Sequence, residues 1–118
     1  ASNYSMTEMA AYEGTTNYSS RTSGYTYGYF SYNAAVPSAA STYGTGIVNF
    51  MNYSNTTTNK SVLSRYGNAS GSGNATEAMV NLWRSNSAIT SIVISTYGVS
   101  GNYYASGSTF SLYGITAA

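Results

Sequence analysis

The sequence predicts an all-β domain, a sandwich or a barrel of short antiparallel strands. Runs of alternating apolar and polar residues recur between residues 24 and 115, and connections rich in Gly, Ser and Asn separate them. The chain has 118 residues and no Cys. A single domain of this size buries roughly two thirds of its unfolded surface, so it needs no disulfide bonds.

The first 23 residues carry few aliphatic side chains, mainly Met6 and Met9. We therefore expect 1–23 to be an extended or loosely structured N-terminal arm or an edge segment, and 24–118 to be the β-sandwich domain. A short helix over 7–12 is a weaker alternative, because Thr7 could cap it and Gly14 would end it. Ala1 is expected to be a processed end or the edge of a fragment.

Three strands are predicted in the first half of the domain, over 24–32, 46–53 and 60–66. In the first, Tyr25, Tyr27 and Tyr29 alternate with smaller residues and point to one face. The second alternates Ile47 and Val48 between its two faces. Polar connections are predicted at 34–41, which contains Pro37, and at 54–59.

Three further strands are predicted over 78–84, 89–96 and 109–115. The first contains Trp83, the one Trp of the chain, and the second has the most regular alternation in the sequence. The Gly- and Ser-rich segment 67–73 and the segment 98–103 are predicted to connect them.

The chain carries very little charge. Charged residues make up 6% of the sequence, against about 25% in ordinary domains. A net charge of +1 provides too few cations to neutralise several phosphates, so no nucleic acid is expected as a partner. No apolar run approaches the length of a membrane span, so no membrane partner is expected either. A surface of hydroxyls and amides is typical of proteins that work outside cells, often in large assemblies.

The residues needed for common catalytic and metal sites are missing. The sequence has no His, no Asp and no Cys, which excludes a Ser-His-Asp triad, a Cys-His pair and a typical zinc site. Glu8 and Glu13 are interpreted as solvated charges in the arm, and Glu77 is distant in sequence. We expect no enzyme activity, no cofactor and no metal.

Aromatic residues provide the candidate contact site. The side chains of Tyr25, Tyr27, Tyr29 and Trp83 are candidates for binding a glycan or another subunit. Packing of the Tyr residues within a sheet or subunit interface is the favoured interpretation. Seven Asn-x-Ser/Thr triplets also occur, and abundant Ser and Thr explain most of them by chance; they begin at Asn3, Asn17, Asn52, Asn55, Asn59, Asn68 and Asn74.

The second half of the chain contains a series of recognisable motifs. FMNYSNTTTNKS begins at Phe50, W-x-S-x-x-A-I-T-S-I begins at Trp83, and GSTFSLYGI begins at Gly107. Over residues 43–115 this succession resembles the C-terminal domain of structural proteins of tailed bacteriophages, found on tail fibres or on exposed head or tail decorations. The last motif is the most specific. Residues 1–42 carry no part of the resemblance.

The resemblance implies a jelly-roll-like antiparallel β-sandwich that serves as a virion structural or attachment module on the particle surface. The expected partners are other virion proteins and further copies of the chain, with a trimer favoured, and a host surface glycan is a possible ligand. It implies no catalytic residues. Two alternatives stay open: a carbohydrate-binding module or adhesin with a Tyr-rich face, and a glycosylated subunit of a cell-surface filament.

Overall fold

The described part of the chain folds into one antiparallel sheet of five strands. A computed structural model describes residues 2–12, 14, 17–31, 44–68, 75–96, 104 and 106–115, and no helix occurs within these ranges. The strands lie in the order β2-β1-β5-β4-β3, and every neighbouring pair is antiparallel. Their bounds are β1 Tyr4–Tyr12, β2 Tyr18–Tyr25, β3 Gly44–Phe50, β4 Lys60–Asn68 and β5 Ala75–Trp83. The all-β prediction is confirmed.

The sheet has one buried face and one open face. Burial alternates along β1, β4 and β5, the three central strands, because successive side chains of a strand point to opposite faces. The buried face, called the inner face below, carries Met6, Glu8 and Ala10 from β1, Lys60, Val62 and Ser64 from β4, and Ala75, Glu77, Met79 and Asn81 from β5. Polar and apolar side chains are therefore mixed on the side that forms the core.

The N-terminal segment is not an arm. Strand β1 pairs with β2 on one side and with β5 on the other, so the prediction of a loosely structured arm over 1–23 is wrong. The weaker helical alternative is also wrong, since 7–12 lies within β1. Sequence reasoning missed this strand because Glu8, a charged residue, interrupts the apolar series at the inner-face position between Met6 and Ala10. Strand β2 is an edge strand, and the predicted boundary at residue 24 falls inside it.

Three predicted strands are confirmed, with shifted ends. The predictions over 46–53, 60–66 and 78–84 correspond to β3, β4 and β5. Strand β3 ends at Phe50, and Asn52 then adopts a left-handed φ of 53°. In the predicted connection 54–59, Asn55 Oδ1 accepts hydrogen bonds from the backbone N–H groups of Thr57 (2.7 Å) and Thr58 (2.8 Å), which closes the loop.

Three other strand predictions are wrong. Of the described residues 24–31, only Gly24 and Tyr25 belong to a strand, and Gly24 has a φ of +86° where the chain leaves β2. The segments 89–96 and 109–115 run without turn or bend but make no sheet ladder in the described structure. Alternation alone does not form a strand, because each strand also needs a backbone partner. The predicted connection 34–41 with Pro37, most of 67–73, and 98–103 lie outside the described residues.

Candidate functional site

Two glutamates lie together on the inner face. Glu8 is 1% exposed and Glu77 is 2% exposed, on the adjacent strands β1 and β5. They are diagonal neighbours, because Glu77 is in register with Ala10 and Glu8 with Met79. Tyr12 bridges them: its Oη lies 2.9 Å from Glu77 Oε1 and 3.2 Å from Glu8 Oε1. A phenol has one proton, so Tyr12 donates to one carboxylate at a time.

Both carboxylates have further hydrogen-bond donors. Ser20 Oγ of β2 donates to Glu8 Oε2 at 3.3 Å, and Ser31 Oγ donates to Glu77 Oε2. We call Glu8, Tyr12, Glu77, Ser20 and Ser31 the carboxylate cluster. Because its members come from β1, β2, β5 and the segment after β2, the cluster ties these parts of the chain together.

The interpretation of Glu8 as a solvated charge is therefore wrong, and Glu13 lies outside the described residues. Sequence reasoning also missed the pairing of Glu8 with Glu77. The sequence does contain a signal that both residues face the core: Met6 and Ala10 flank Glu8 at two residues on each side, and Ala75 and Met79 flank Glu77 in the same way. Among the described residues, no group of three or more His, Cys, Asp or Glu side chains could hold a metal ion.

Tyr66 lies beside this cluster on β4, in register with Glu77. Burial and the neighbouring Glu77 carboxylate raise the pKa of the Tyr66 phenol, while a hydrogen bond with Asn68 acts in the opposite direction. The ring of Tyr66 crosses β3 at Gly44, where a methyl group would overlap the phenol. Gly44 therefore provides the space that Tyr66 occupies.

Lys60 is the third charged residue on the inner face, and it is fully buried. Its Nζ donates a hydrogen bond of 2.6 Å to the backbone oxygen of Thr58 in the loop before β4. Lys60 is in register with Trp83, and Trp83 stacks on Tyr4 with ring centroids 6.2 Å apart. The hydrogen bond to the Thr58 carbonyl oxygen therefore satisfies the buried amino group of Lys60.

The four predicted contact residues lie at one end of the sheet. Tyr4 is in register with Tyr25 on one side and with Trp83 on the other. The rings of Tyr27 and Tyr29 pack against Tyr25 with centroids 5.7 and 5.6 Å away. The structure thus brings Tyr25, Tyr27, Tyr29 and Trp83 into one aromatic neighbourhood, joined through Tyr4.

The Tyr rings do not form a flat platform. Tyr29 is 7% exposed and belongs to the hydrophobic core with Met6 and Met79, and Tyr25 packs against this core. The Tyr29 ring lies at 86° to that of Tyr25 and at 77° to that of Tyr27. A sugar ring stacks on an exposed aromatic face, and of these three only Tyr27 is exposed. The geometry favours packing within the chain, and glycan binding by these residues stays a prediction.

The segments 89–96 and 109–115, called the C-terminal segments below, expose large apolar side chains. Val93 and Tyr113 are each 85% exposed. The other exposed large apolar side chains in these segments are Ile92, Ile94, Phe110, Leu112 and Ile115. In the described structure, Ile89 N donates to the backbone oxygen of Tyr53 at 2.8 Å, and residues 90–95 and 109–115 have no backbone hydrogen bond. Apolar alternation and unpaired backbone coincide here.

The C-terminal segments border a groove of about 310 Å³ over the β3 end of the inner face. Val48 and Phe50 of β3 form one wall, and Phe30 packs edge-on against Phe50 with centroids 5.8 Å apart. The other wall carries Ile92, Ile94, Phe110 and Leu112. We call this the apolar groove; its described lining includes no charged side chain.

The opposite face of the sheet is open. A register row crosses it through Met9, Ala78, Arg65 and Ile47, and Met9 and Ile47 are exposed. A shallow groove of about 720 Å³ runs along this row. The open face therefore combines apolar side chains with a guanidinium group.

No helix in the described part of the chain is long and apolar enough to cross a membrane. Comparison with protein-family models, with curated proteins and with solved structures found no match.

Proposed function

We propose that this chain is a virion structural or attachment module of the tailed-bacteriophage type, displayed on the particle surface and acting through subunit contacts without catalysis. The observation that carries this proposal is the exposure of the C-terminal segments. The first of these segments has the most regular apolar alternation of the sequence, yet Val93 within it is 85% exposed, and so is Tyr113 in the second. Contiguous exposed apolar surface marks sites of protein association.

The residues of the resemblance support the same proposal. Its most specific motif, GSTFSLYGI, lies almost entirely within the second C-terminal segment. Four of its side chains, those of Phe110, Leu112, Tyr113 and Ile115, are exposed. An apolar motif on the surface suits a contact between subunits better than it suits the interior of a monomer.

The distribution of charge also supports assembly. Three of the seven charged residues, Glu8, Lys60 and Glu77, are buried on the inner face, so the surface carries even less charge than the composition suggests. Covering a charged group costs desolvation free energy, whereas hydroxyl, amide and apolar surface is covered at lower cost. Neighbouring subunits can therefore cover much of this surface.

We further propose that the complete domain is a jelly-roll-like β-sandwich, in which the C-terminal segments belong to a second layer. In a sandwich, two sheets pack their apolar faces together with a core between them. The C-terminal segments lie on the inner side of β3, where Ile92 and Phe110 border the same groove as Val48 and Phe50. That position corresponds to a layer facing the sheet.

Two measurements test the proposed function. Sedimentation equilibrium of the pure chain should give an oligomer, with a trimer of the 12.4 kDa chain favoured. An antibody against the chain should detect it in intact virus particles purified by density-gradient centrifugation from an infected bacterial culture. A chain that stays monomeric at all concentrations, or that is absent from purified particles, would contradict the proposal.

A further inference from the structure

We infer that a second copy of this chain completes the second layer by adding a β-strand to the C-terminal segments. The inference rests on the proposed function, since it specifies the partner and the form of the subunit contact. It uses the same exposed surface and adds a backbone interaction to it.

The unpaired backbone of the C-terminal segments favours pairing with a strand of the partner over a contact through side chains alone. Residues 90–95 and 109–115 make no backbone hydrogen bond in the described structure, although both segments run without turns. Unpaired N–H and C=O groups along such a segment form a template for another strand. Strand addition would supply these hydrogen bonds and exclude water from them.

The apolar groove fits a strand that alternates apolar and polar residues. Its walls are Val48 and Phe50 on one side and Ile92 and Phe110 on the other. Ile92 borders the groove while Val93 points into solvent, so both sides of this segment have apolar surface to cover. A strand placed here buries its apolar side chains in the groove and pairs its backbone with the segment.

The lack of charge around the apolar groove favours a second copy of the chain as the strand that occupies it. Residues 85–118 contain no charged side chain, and the described lining of the groove contains none either. The entering strand must therefore be uncharged, and the C-terminal segments themselves meet that requirement. Uncharged, alternating segments of neighbouring copies can lie side by side without like-charge repulsion.

The free edges of the sheet agree with this choice. Strand β3 presents an edge of sequence GTGIVNF, without charge or Pro, next to the groove. The opposite edge strand, β2, carries exposed Arg21. Because charged side chains and Pro are the usual protection of edge strands, β3 is the unprotected edge. The unpaired segments, the groove and this edge lie on the same side of the molecule.

Single cysteines provide a direct test, because the chain has no Cys of its own. Ser91→Cys and Ser111→Cys place a nitroxide label in each C-terminal segment, and Thr56→Cys places one in the exposed β3–β4 loop as the control. We expect short distances between copies from the first two labels and not from the third. Dilution with unlabelled chain should remove the short distances. Their absence in an oligomer would overturn the inference.

A charge substitution provides the second test. Val93→Lys adds a charge at a side chain that is 85% exposed, so it should leave the folded monomer intact. We expect it to shift the sedimenting species to the 12.4 kDa monomer, while Thr56→Lys leaves the oligomer unchanged. An oligomer that persists in Val93→Lys overturns strand addition but leaves assembly standing. A wild-type chain that is monomeric overturns both.

Discussion

Asn81 and Tyr29 hold each other by two hydrogen bonds on the inner face of the sheet. Tyr29 N donates to Asn81 Oδ1 at 3.1 Å, and Asn81 Nδ2 donates to the Tyr29 carbonyl oxygen at 2.7 Å. Both residues are buried, so the amide replaces the backbone partner that a neighbouring strand would otherwise provide. This pair fixes the segment after β2 across the sheet and places the Tyr29 ring in the core.

Replacing Asn81 should therefore destabilise the folded chain. Asn81→Ala removes both hydrogen bonds that the amide makes with the buried backbone of Tyr29, and we expect the free energy of unfolding to fall by about 2–4 kcal/mol. Asn49→Ala, at an exposed position of β3, is the matched control and should change it by less than about 0.5 kcal/mol. Urea denaturation measures both. Equal effects would contradict the assigned role of Asn81.

The carboxylate cluster predicts a specific role for one hydroxyl group. Tyr12→Phe keeps the ring but removes the donor shared by Glu8 and Glu77, and we expect a loss of about 1.5–3 kcal/mol in unfolding free energy. Tyr53→Phe, at an exposed Tyr, should have little effect. If the two substitutions destabilise the chain equally, the bridge contributes nothing to stability.

Gly44 and Tyr66 should be energetically coupled. Gly44→Ala puts a methyl group where the Tyr66 phenol lies, so the single substitution should destabilise the chain. In a Tyr66→Ala background the same methyl group has room, and its cost should fall. A double-mutant cycle by urea denaturation should give a coupling of about 0.5–3 kcal/mol. A coupling indistinguishable from zero would show that the ring moves aside freely.

Tyr66 also predicts a pH dependence in the alkaline range. Its pKa in the folded chain is raised above the ordinary value of 10.0, mainly by burial and then by Glu77. The folded state then holds this proton more tightly than the unfolded state does. The associated stability is fully present below pH 10 and is lost as pH rises through the folded pKa. Tyr66→Phe should reduce this loss in urea denaturations above pH 10, and an unchanged profile would contradict it.

Much of the sheet could be predicted from alternation. Strands β3, β4 and β5 could be predicted because apolar and polar residues alternate within each of them, between polar connections. Val48, Val62 and Met79 are the respective examples of inner-face apolar residues. Strand β1 escaped prediction because Glu8 takes an inner-face position, where a charged residue is rare unless other groups of the fold provide partners. Here Tyr12 and Ser20 provide them.

The remaining differences come from long-range contacts. Glu8 and Glu77 meet only because β1 pairs with β5, and nothing local in the sequence specifies that pairing. The predicted strand over 24–32 does not form because the chain bends after Tyr25. The side chain of Asn81, far along the sequence, then makes two hydrogen bonds with the backbone of Tyr29. The C-terminal segments have the pattern of strands, but a pattern cannot supply a backbone partner.

Hydrogen exchange of the backbone amides at residues 109–115 tests most directly whether a second copy supplies that partner. If it does, these amides exchange slowly in concentrated solution and lose their protection when dilution separates the copies. Exchange at the rate of an unprotected chain at every concentration would contradict the account, and so would protection that does not change on dilution to monomer.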